Sequence, residues 1–99
     1  PDFGDRSPDL LEVRELIDEV DRRLVDLLLQ RHDLSKRAGH IKRREGQPVR
    51  DPAREDALLD RRAAWARDGG LDVDGTIRIF RAILEQSRAC QTTTGKTTT

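Results

Sequence analysis

Residues 10 to 43 read LLEVRELIDEVDRRLVDLLLQRHDLSKRAGHIKR, and this stretch decides the fold. Its apolar residues recur in alternating steps of three and four, which is the spacing of one face of an α-helix. Neither Pro nor Gly interrupts the pattern before Gly39. The pattern therefore predicts one long helix. Its apolar face consists of Leu10, Val13, Ile17, Val20, Leu24, Leu27, Leu34, Ala38 and Ile41.

The length of this helix predicts an oligomer. Thirty-four helical residues extend for about 51 Å, whereas a compact domain of 100 residues has a radius of gyration of only about 13 Å. The rest of the 99-residue chain supplies two shorter helices, which cannot cover so long an apolar face. We therefore expect a second copy to cover it, giving an obligate homodimer.

Turn and capping residues set the ends of the first helix. Ser7 is predicted as its N-cap and Pro8 as its first helical residue. Gly46 and Pro48 end the helix and open a short loop.

The same signals predict two further helices. Asp51-Pro52 starts the second helix and Gly69-Gly70 ends it, while Asp72 or Asp74 caps the third. No run shows the period of two that is typical of a strand. The apolar positions of these helices are Leu58, Leu59, Ala63 and Ala66, with Trp65 nearby, followed by Val73, Ile77, Phe80, Ile83 and Leu84.

These signals predict an all-α chain of one long and two shorter helices, two copies of which form a homodimeric helical bundle. We expect a flexible arm over residues 1–7, a helical domain over 8–91 and a disordered tail over 92–99. The tail contains Gly95-Lys96-Thr97, which resembles the end of a phosphate-binding loop. The first glycine of that motif is replaced by Cys90, so we reject this interpretation.

Composition limits the function. Nineteen cations balance nineteen acids, so the net charge gives no general attraction to nucleic acid or anionic membrane. The single cysteine cannot form an internal disulfide, and no apolar stretch is long enough for a signal peptide or a membrane span. We expect a cytoplasmic protein.

Polar residues interrupt the predicted apolar faces. Arg31 stands four residues after Leu27, where the pattern calls for an apolar side chain. Lys42 follows Arg31 by eleven residues, which returns to nearly the same side of the helix about 16 Å further on. On the third helix, Ser87 and Gln91 continue the apolar face. Long cationic side chains at these positions can converge on one small anion.

Three further residues gather at the start of the second helix. A positive charge at a helix start is unfavourable for the helix dipole, so Arg54 indicates a role other than helix stability. Asp51 and Glu55 lie within one turn of Arg54.

Arg14 precedes Arg31 by about 25 Å along the first helix, so both can bind one ligand only if Arg14 comes from a partner chain.

Each of these residues also has an ordinary structural explanation. Arg31 can reach solvent or pair with a carboxylate, and Arg14 can form a surface ion pair. Lys42 suits a helix C-terminus, Asp51 suits a cap, and Ser87 with Gln91 suits a fraying end. Taken together, however, they indicate a small interior pocket for a dianion with more than one carboxylate.

Other chemistry has little support in the sequence. His32 and His40 have no cluster of Cys, His or Glu at ligand spacing, so we predict no metal site. Cys90 and Ser87 lack a partner base or triad, which argues against nucleophilic catalysis. We also predict no cofactor.

The residues from Leu10 to Gln91 resemble the all-helical class of chorismate mutases. No single matching segment is specific for this family, but the combination of segments at these separations is specific for it. The matching segments are Val13-Arg14-Glu15, Ile17-Asp18, Val20-Asp21, Leu29-Gln30-Arg31, Ile41-Lys42, Pro48 to Asp51-Pro52, Arg54-Glu55, Ile79-Phe80, Ser87 and Gln91.

The resemblance implies an intertwined homodimer with two identical sites, and it implies a role for each polar position. Arg14 of the partner chain, Arg31 and Arg54 would bind carboxylates, and Ser87 would assist. Lys42 and Gln91 would be the catalytic donors to the ether oxygen of the substrate. The ring hydroxyl would meet Asp51 and Glu55.

The implied reaction is the Claisen rearrangement of chorismate to prephenate in aromatic amino acid biosynthesis, which needs no nucleophile and no cofactor. Two relatives on this scaffold act on other substrates: a 4-amino-4-deoxychorismate mutase and an isochorismate pyruvate lyase. A non-catalytic helical dimerisation module is the alternative from a different class. The set of Asp51, Arg54 and Glu55 resembles the mutases more than the lyase.

Overall fold

The computed structural model describes residues 8–94, which form three α-helices. Helix α1 spans Pro8–Glu45, α2 spans Pro52–Gly69 and α3 spans Val73–Thr94. No β-strand occurs within these described residues. The prediction of an all-α chain with one long and two shorter helices is therefore confirmed.

The helix ends lie where the glycines were expected to place them. Gly46 follows the last residue of α1 with a φ of 69°, and Gly70 follows α2 with a φ of 79°. Positive φ is the conformation that glycine adopts most readily, and it turns the chain out of the helix. The backbone N–H of Gly70 donates to the Arg67 carbonyl at 3.2 Å.

The helix starts depend on aspartate caps. Asp51 Oδ1 accepts a hydrogen bond from the backbone N–H of Arg54 at 3.1 Å, as an N-cap side chain should. At the start of α3, Asp72 Oδ2 accepts from the N–H of Gly75 at 2.7 Å. Asp72 is therefore the cap, and Asp74 lies in the first turn.

The C-terminal end of α3 differs from the boundary expected from sequence. Residues 92–94, which were assigned to the tail, continue the helix. Thr92 Oγ1 donates to the Arg88 carbonyl at 2.9 Å, the i−4 bond that a helical threonine can make. The predicted Ser7 cap and arm over 1–7, and the remainder of the predicted tail over 95–99, lie outside the described residues.

The chain divides into two units, Pro1–Arg31 and His32–Thr99. In the first unit, the structure describes the N-terminal part of α1, which keeps its apolar face exposed. Val13, Ile17, Val20 and Leu24 are each about half accessible to solvent, and Leu27 is 57% accessible.

The second unit contains the hydrophobic core. Leu58 and Leu59 of α2 are buried against Leu84 of α3, and Ile77 and Phe80 pack around them. Ala63 and Ala66 are also buried, whereas Trp65 is exposed. Within the described residues, no helix has the combination of length and apolar character that crossing a membrane demands.

The C-terminal part of α1 approaches α3 closely at Gly39. A Cβ atom added to Gly39 would lie 3.1 Å from both Cα and Cβ of Gln91. That spacing is tighter than ordinary van der Waals contact, so a side chain at this position would push the two helices apart. Gly39 therefore sets the distance between α1 and α3 beside Gln91.

Replacing Gly39 by valine should destabilise the fold by about 1–3 kcal/mol, because the added methyl groups overpack against Gln91. Gly69→Val is the matched control, since nothing lies within 4 Å of a Cβ atom there. Urea unfolding followed by circular dichroism measures both variants. A Gly39→Val protein as stable as the control would show that α1 and α3 are not closely packed at this point.

Candidate functional site

Lys42 and Gln91 meet in the second unit although 49 residues separate them. Lys42 Nζ donates to Gln91 Oε1 at 3.0 Å and to the backbone carbonyl of Val49 at 2.8 Å. Gln91 is buried, with 8% of its surface exposed, and Lys42 is half-buried. The structure thus brings together the two donors that the resemblance assigns to catalysis.

The hydrogen bonds around Gln91 fix the direction of its amide. Its Oε1 atom accepts from Lys42, so the Nε2 hydrogens are directed away from that ammonium group. Arg43 Nη1 holds the helix at the same residue by donating to the Gln91 backbone carbonyl at 3.1 Å. Gln91 therefore presents hydrogen-bond donors from a position that two side chains of α1 stabilise.

The ammonium group of Lys42 donates its hydrogen bonds to uncharged groups. Within residues 8–94, both hydrogen-bond acceptors of its ammonium are uncharged oxygens, one a backbone carbonyl and one a side-chain amide. An ammonium has three donor hydrogens, so two such bonds leave one for a ligand. Because no carboxylate neutralises it in these bonds, Lys42 can place positive charge on an anionic ligand.

Ser87 lies one turn before Gln91 on α3 and also contacts α1. Ser35 Oγ donates to Ser87 Oγ at 3.3 Å, and Ser35 is buried with 8% exposure. Ser87, Lys42 and Gln91 therefore lie along the same contact between α1 and α3, as the continuation of the α3 apolar face predicted.

The start of α2 supplies the next group. Asp51 is exposed and serves as the N-cap, with its Oδ1 atom bonded to the backbone of Arg54. Arg54 is exposed. The capping bond occupies only one carboxylate oxygen of Asp51, so the predicted contact with a ligand does not conflict with its structural role.

Glu55 is the more protected acid of this group. Only 15% of its side chain is exposed, and its Oε2 atom lies 2.7 Å from Arg88 Nη1. Its Oε1 atom lies 3.7 Å from Arg50 Nε, which is an ion-pair contact longer than a hydrogen bond. These three side chains border a cleft of about 270 Å³. We call Arg50, Glu55 and Arg88 the Glu55 cluster.

The other two predicted residues belong to the first unit. Arg14 is exposed on α1, and Arg31, the last residue of that unit, is half-buried. The assignment of both arginines to carboxylate binding stays a prediction from sequence.

Five participating residues were not among the sequence candidates: Ser35, Arg43, Val49, Arg50 and Arg88. The carbonyl of Val49 and the hydroxyl of Ser35 carry no signal that distinguishes them from ordinary helix and loop groups. Arg88 did carry one, because it stands beside Ser87 on a helix whose neighbouring face turns polar.

Cys90 is buried, with 8% of its surface exposed. Cys90 Sγ lies 3.6 Å from His32 Nε2 and 3.7 Å from the His32 carbonyl. Within the described residues, no group of three or more His, Cys, Asp or Glu side chains is arranged to hold a metal ion.

Comparisons with known proteins identify the family of this chain. The family model described as chorismate mutase type II matches residues 13–92. A chorismate mutase of Methanocaldococcus jannaschii is 34% identical over 83% of both chains. A 4-amino-4-deoxychorismate mutase of Streptomyces venezuelae is 32% identical over 79% of this chain and 76% of its own.

Some relatives are much longer than this chain. A bifunctional chorismate mutase/prephenate dehydratase of Escherichia coli is 37% identical over 79% of this chain, but the match covers only 20% of the longer protein. The chain belongs to the chorismate mutase type II family of isomerases.

Proposed function

We propose that this protein converts chorismate to prephenate by a Claisen rearrangement, with Lys42 and Gln91 as its catalytic donors. The observation that carries the proposal is the 3.0 Å contact between Lys42 Nζ and Gln91 Oε1. It brings two donors from distant helices to one point, in a chain of the matching family.

The rearrangement is pericyclic, so bond breaking and bond making occur within the substrate alone. The protein has to hold the substrate in a compact conformation, with the enolpyruvyl arm folded over the ring. Clamping the two carboxylates achieves this and removes the entropy cost of reaching the reactive geometry. In our proposal, Arg31 and Arg54 of one chain and Arg14 of a partner bind the carboxylates, and Ser87 assists.

The donors act on charge that develops during the reaction. As the C–O bond of the ether stretches, negative charge accumulates on its oxygen. The free ammonium hydrogen of Lys42 and the Nε2 hydrogens of Gln91 then bind that oxygen more strongly than in the ground state. Because the surrounding helices already fix both groups, little reorganisation accompanies the reaction.

The opposite end of the substrate carries the ring hydroxyl. We assign this group to Asp51 and Glu55, whose carboxylate oxygens can accept its hydrogen. Glu55 Oε1 suits this role, because its contact with Arg50 at 3.7 Å leaves it able to accept a hydrogen bond.

The proposal includes a homodimer. The half-exposed apolar face of α1 in the first unit supports it, because such a surface is typical of an interface between chains. Burying the exposed half of Val13, Ile17, Val20, Leu24 and Leu27 would contribute on the order of 5 kcal/mol per chain. That is comparable to the entire stability of a small domain. Each site would then take Arg14 from the partner.

A mutase for 4-amino-4-deoxychorismate is the second candidate function. The 32% identity to the Streptomyces venezuelae protein of that name favours this function. The match covers 76% of the length of that protein. The two candidates differ at one ring substituent. Rates on both substrates, together with isochorismate for the lyase reaction, separate them.

Replacing Lys42 by alanine should lower kcat on chorismate on the order of 10²-fold or more, because a preorganised donor to the ether oxygen is lost. Lys36→Ala is the matched control, since Lys36 is an exposed lysine on the same helix. Prephenate formation and thermal unfolding are measured on both variants. Near-normal turnover by a folded Lys42→Ala protein would refute the assignment.

Replacing Gln91 by glutamate should make the reaction depend on acid. A carboxylate offers no donor to the ether oxygen, whereas a protonated carboxyl group does. We expect kcat at pH 7.5 to fall on the order of 10²-fold and to recover as the pH is lowered and the carboxyl group gains its proton. The wild type should show no such rise, because an amide does not titrate.

Gln86→Glu provides the control for this pH profile, since Gln86 is an exposed glutamine on the same helix. A Gln91→Glu enzyme that works equally well at pH 7.5 and pH 5 would show that position 91 does not donate to the reacting oxygen.

A further inference from the structure

Arg88 makes a short ion pair with Glu55, yet the proposed mechanism does not use Arg88. Its Nη1 atom lies 2.7 Å from Glu55 Oε2, and both side chains are mostly protected, with 30% and 15% exposure. A guanidinium–carboxylate hydrogen bond of this length is charge-assisted and strongly directional. It therefore fixes the position of the Glu55 carboxylate.

The position of Arg88 on α3 connects it to the proposed site. It directly follows Ser87 and precedes Gln91 by three residues, about 60° around the helix from Gln91. It reaches α2 at Glu55, while Ser87 and Gln91 contact α1. Arg88 thus reaches the acid assigned to the ring substituent from the helix that carries a catalytic donor.

We propose that Arg88 is a specificity-determining residue that acts through Glu55 to favour a neutral ring hydroxyl over a positively charged ring amine. This inference rests on the proposed function, in which Glu55 faces the ring substituent. It assigns the substrate class of that site: a dicarboxylate with an uncharged donor on its ring.

The charges of the Glu55 cluster support this selection. The Arg88 guanidinium, at 2.7 Å and only 30% exposed, compensates the charge of the Glu55 carboxylate, whereas Arg50 lies 3.7 Å away, is 65% exposed and is therefore screened by water. Glu55 Oε1 can still accept a hydrogen bond from a hydroxyl group. An ammonium substituent would instead find a carboxylate whose charge is already compensated, with the Arg88 guanidinium close by to repel it.

The neighbouring charges do not reverse this balance. Asp51 is the other acid assigned to the ring substituent, but it is exposed, so water and salt screen its charge. Arg54 beside it is exposed too, so its charge is screened in the same way. Asp56, Arg81 and Glu85, which also line the cleft, are exposed as well.

The test compares kcat/KM on chorismate and on 4-amino-4-deoxychorismate, whose amine is protonated at neutral pH. We expect Arg88→Gln to lower the preference for chorismate about tenfold, mainly by improving the amino substrate. We take the Arg88 guanidinium to lie about 6 Å from the ring amine, with an effective dielectric constant of about 20 between them. The repulsion of two unit charges at that distance, discounted for the 30% exposure of Arg88, corresponds to a change of this size.

Three further variants separate charge from structure. Arg88→Lys keeps the positive charge and should keep the preference for chorismate. If Arg88 acted only through the shape of its side chain, Arg88→Lys would lose the preference as Arg88→Gln does. Arg78→Gln removes an exposed arginine of the same helix that does not line this cleft, and it should leave the preference unchanged. Glu55→Gln removes the negative charge from the cluster and should increase the preference for the hydroxyl substrate, whether or not Arg88→Gln folds well.

The outcomes distinguish this inference from the proposed function. If the wild type consumes chorismate but the preference is the same in Arg88→Gln, or falls in Glu55→Gln, the role of Arg88 is overturned while the mutase activity stands. Equal losses on both substrates would likewise overturn it. A wild type that rearranges neither substrate overturns both proposals.

Discussion

The exposed apolar face of α1 is the constraint on which this account depends. Helix α1 has 38 residues, and in the first unit its Val, Ile and Leu side chains remain about half accessible to solvent. Leaving such a face in water is unfavourable, and a second copy offers a chemically matched surface to cover it. In the dimer that we propose, the pairing of α1 with the partner chain both buries this apolar face and brings Arg14 to the partner's site.

Within the second unit, the proposed catalytic donors Lys42 and Gln91 lie beside the close contact between α1 and α3 at Gly39. Gly39 allows α1 to approach α3 so closely that an added Cβ atom would lie 3.1 Å from Gln91, which is tighter than ordinary van der Waals contact. One turn of α1 later, Lys42 reaches the amide of the same glutamine. A small residue in one helix thus allows a buried amide in another to contact a lysine, and the proposed donor pair depends on that spacing.

Much of this arrangement could be predicted from the sequence because it depends on local chemistry. The caps at Asp51 and Gly70 follow from backbone geometry, and the buried Leu58, Leu59 and Leu84 follow from helical spacing. The link between Lys42 and Gln91 came from the family resemblance and not from spacing, since 49 residues separate them.

The features that were missed depend on tertiary contacts or on side-chain bonds at a helix end. The Ser35–Ser87 bond, the carbonyl of Val49 beside Lys42 and the pairing of Arg88 with Glu55 all join separate segments of the chain. Helix α3 continued beyond the boundary expected at residue 91, where Thr92 bonds back to the preceding turn. Periodicity identifies the face on which a residue lies, but it does not identify the partner that it meets.

The most direct test of a site shared between two chains is complementation between inactive variants. Arg14→Ala and Lys42→Ala should each be nearly inactive, and equal amounts of the two are unfolded and refolded together. Half of the dimers would then be mixed, each with one intact site, so the mixture should recover about one quarter of the wild-type activity. A mixture that stays as inactive as its components, or an Arg14→Ala protein with full activity alone, would contradict the shared site.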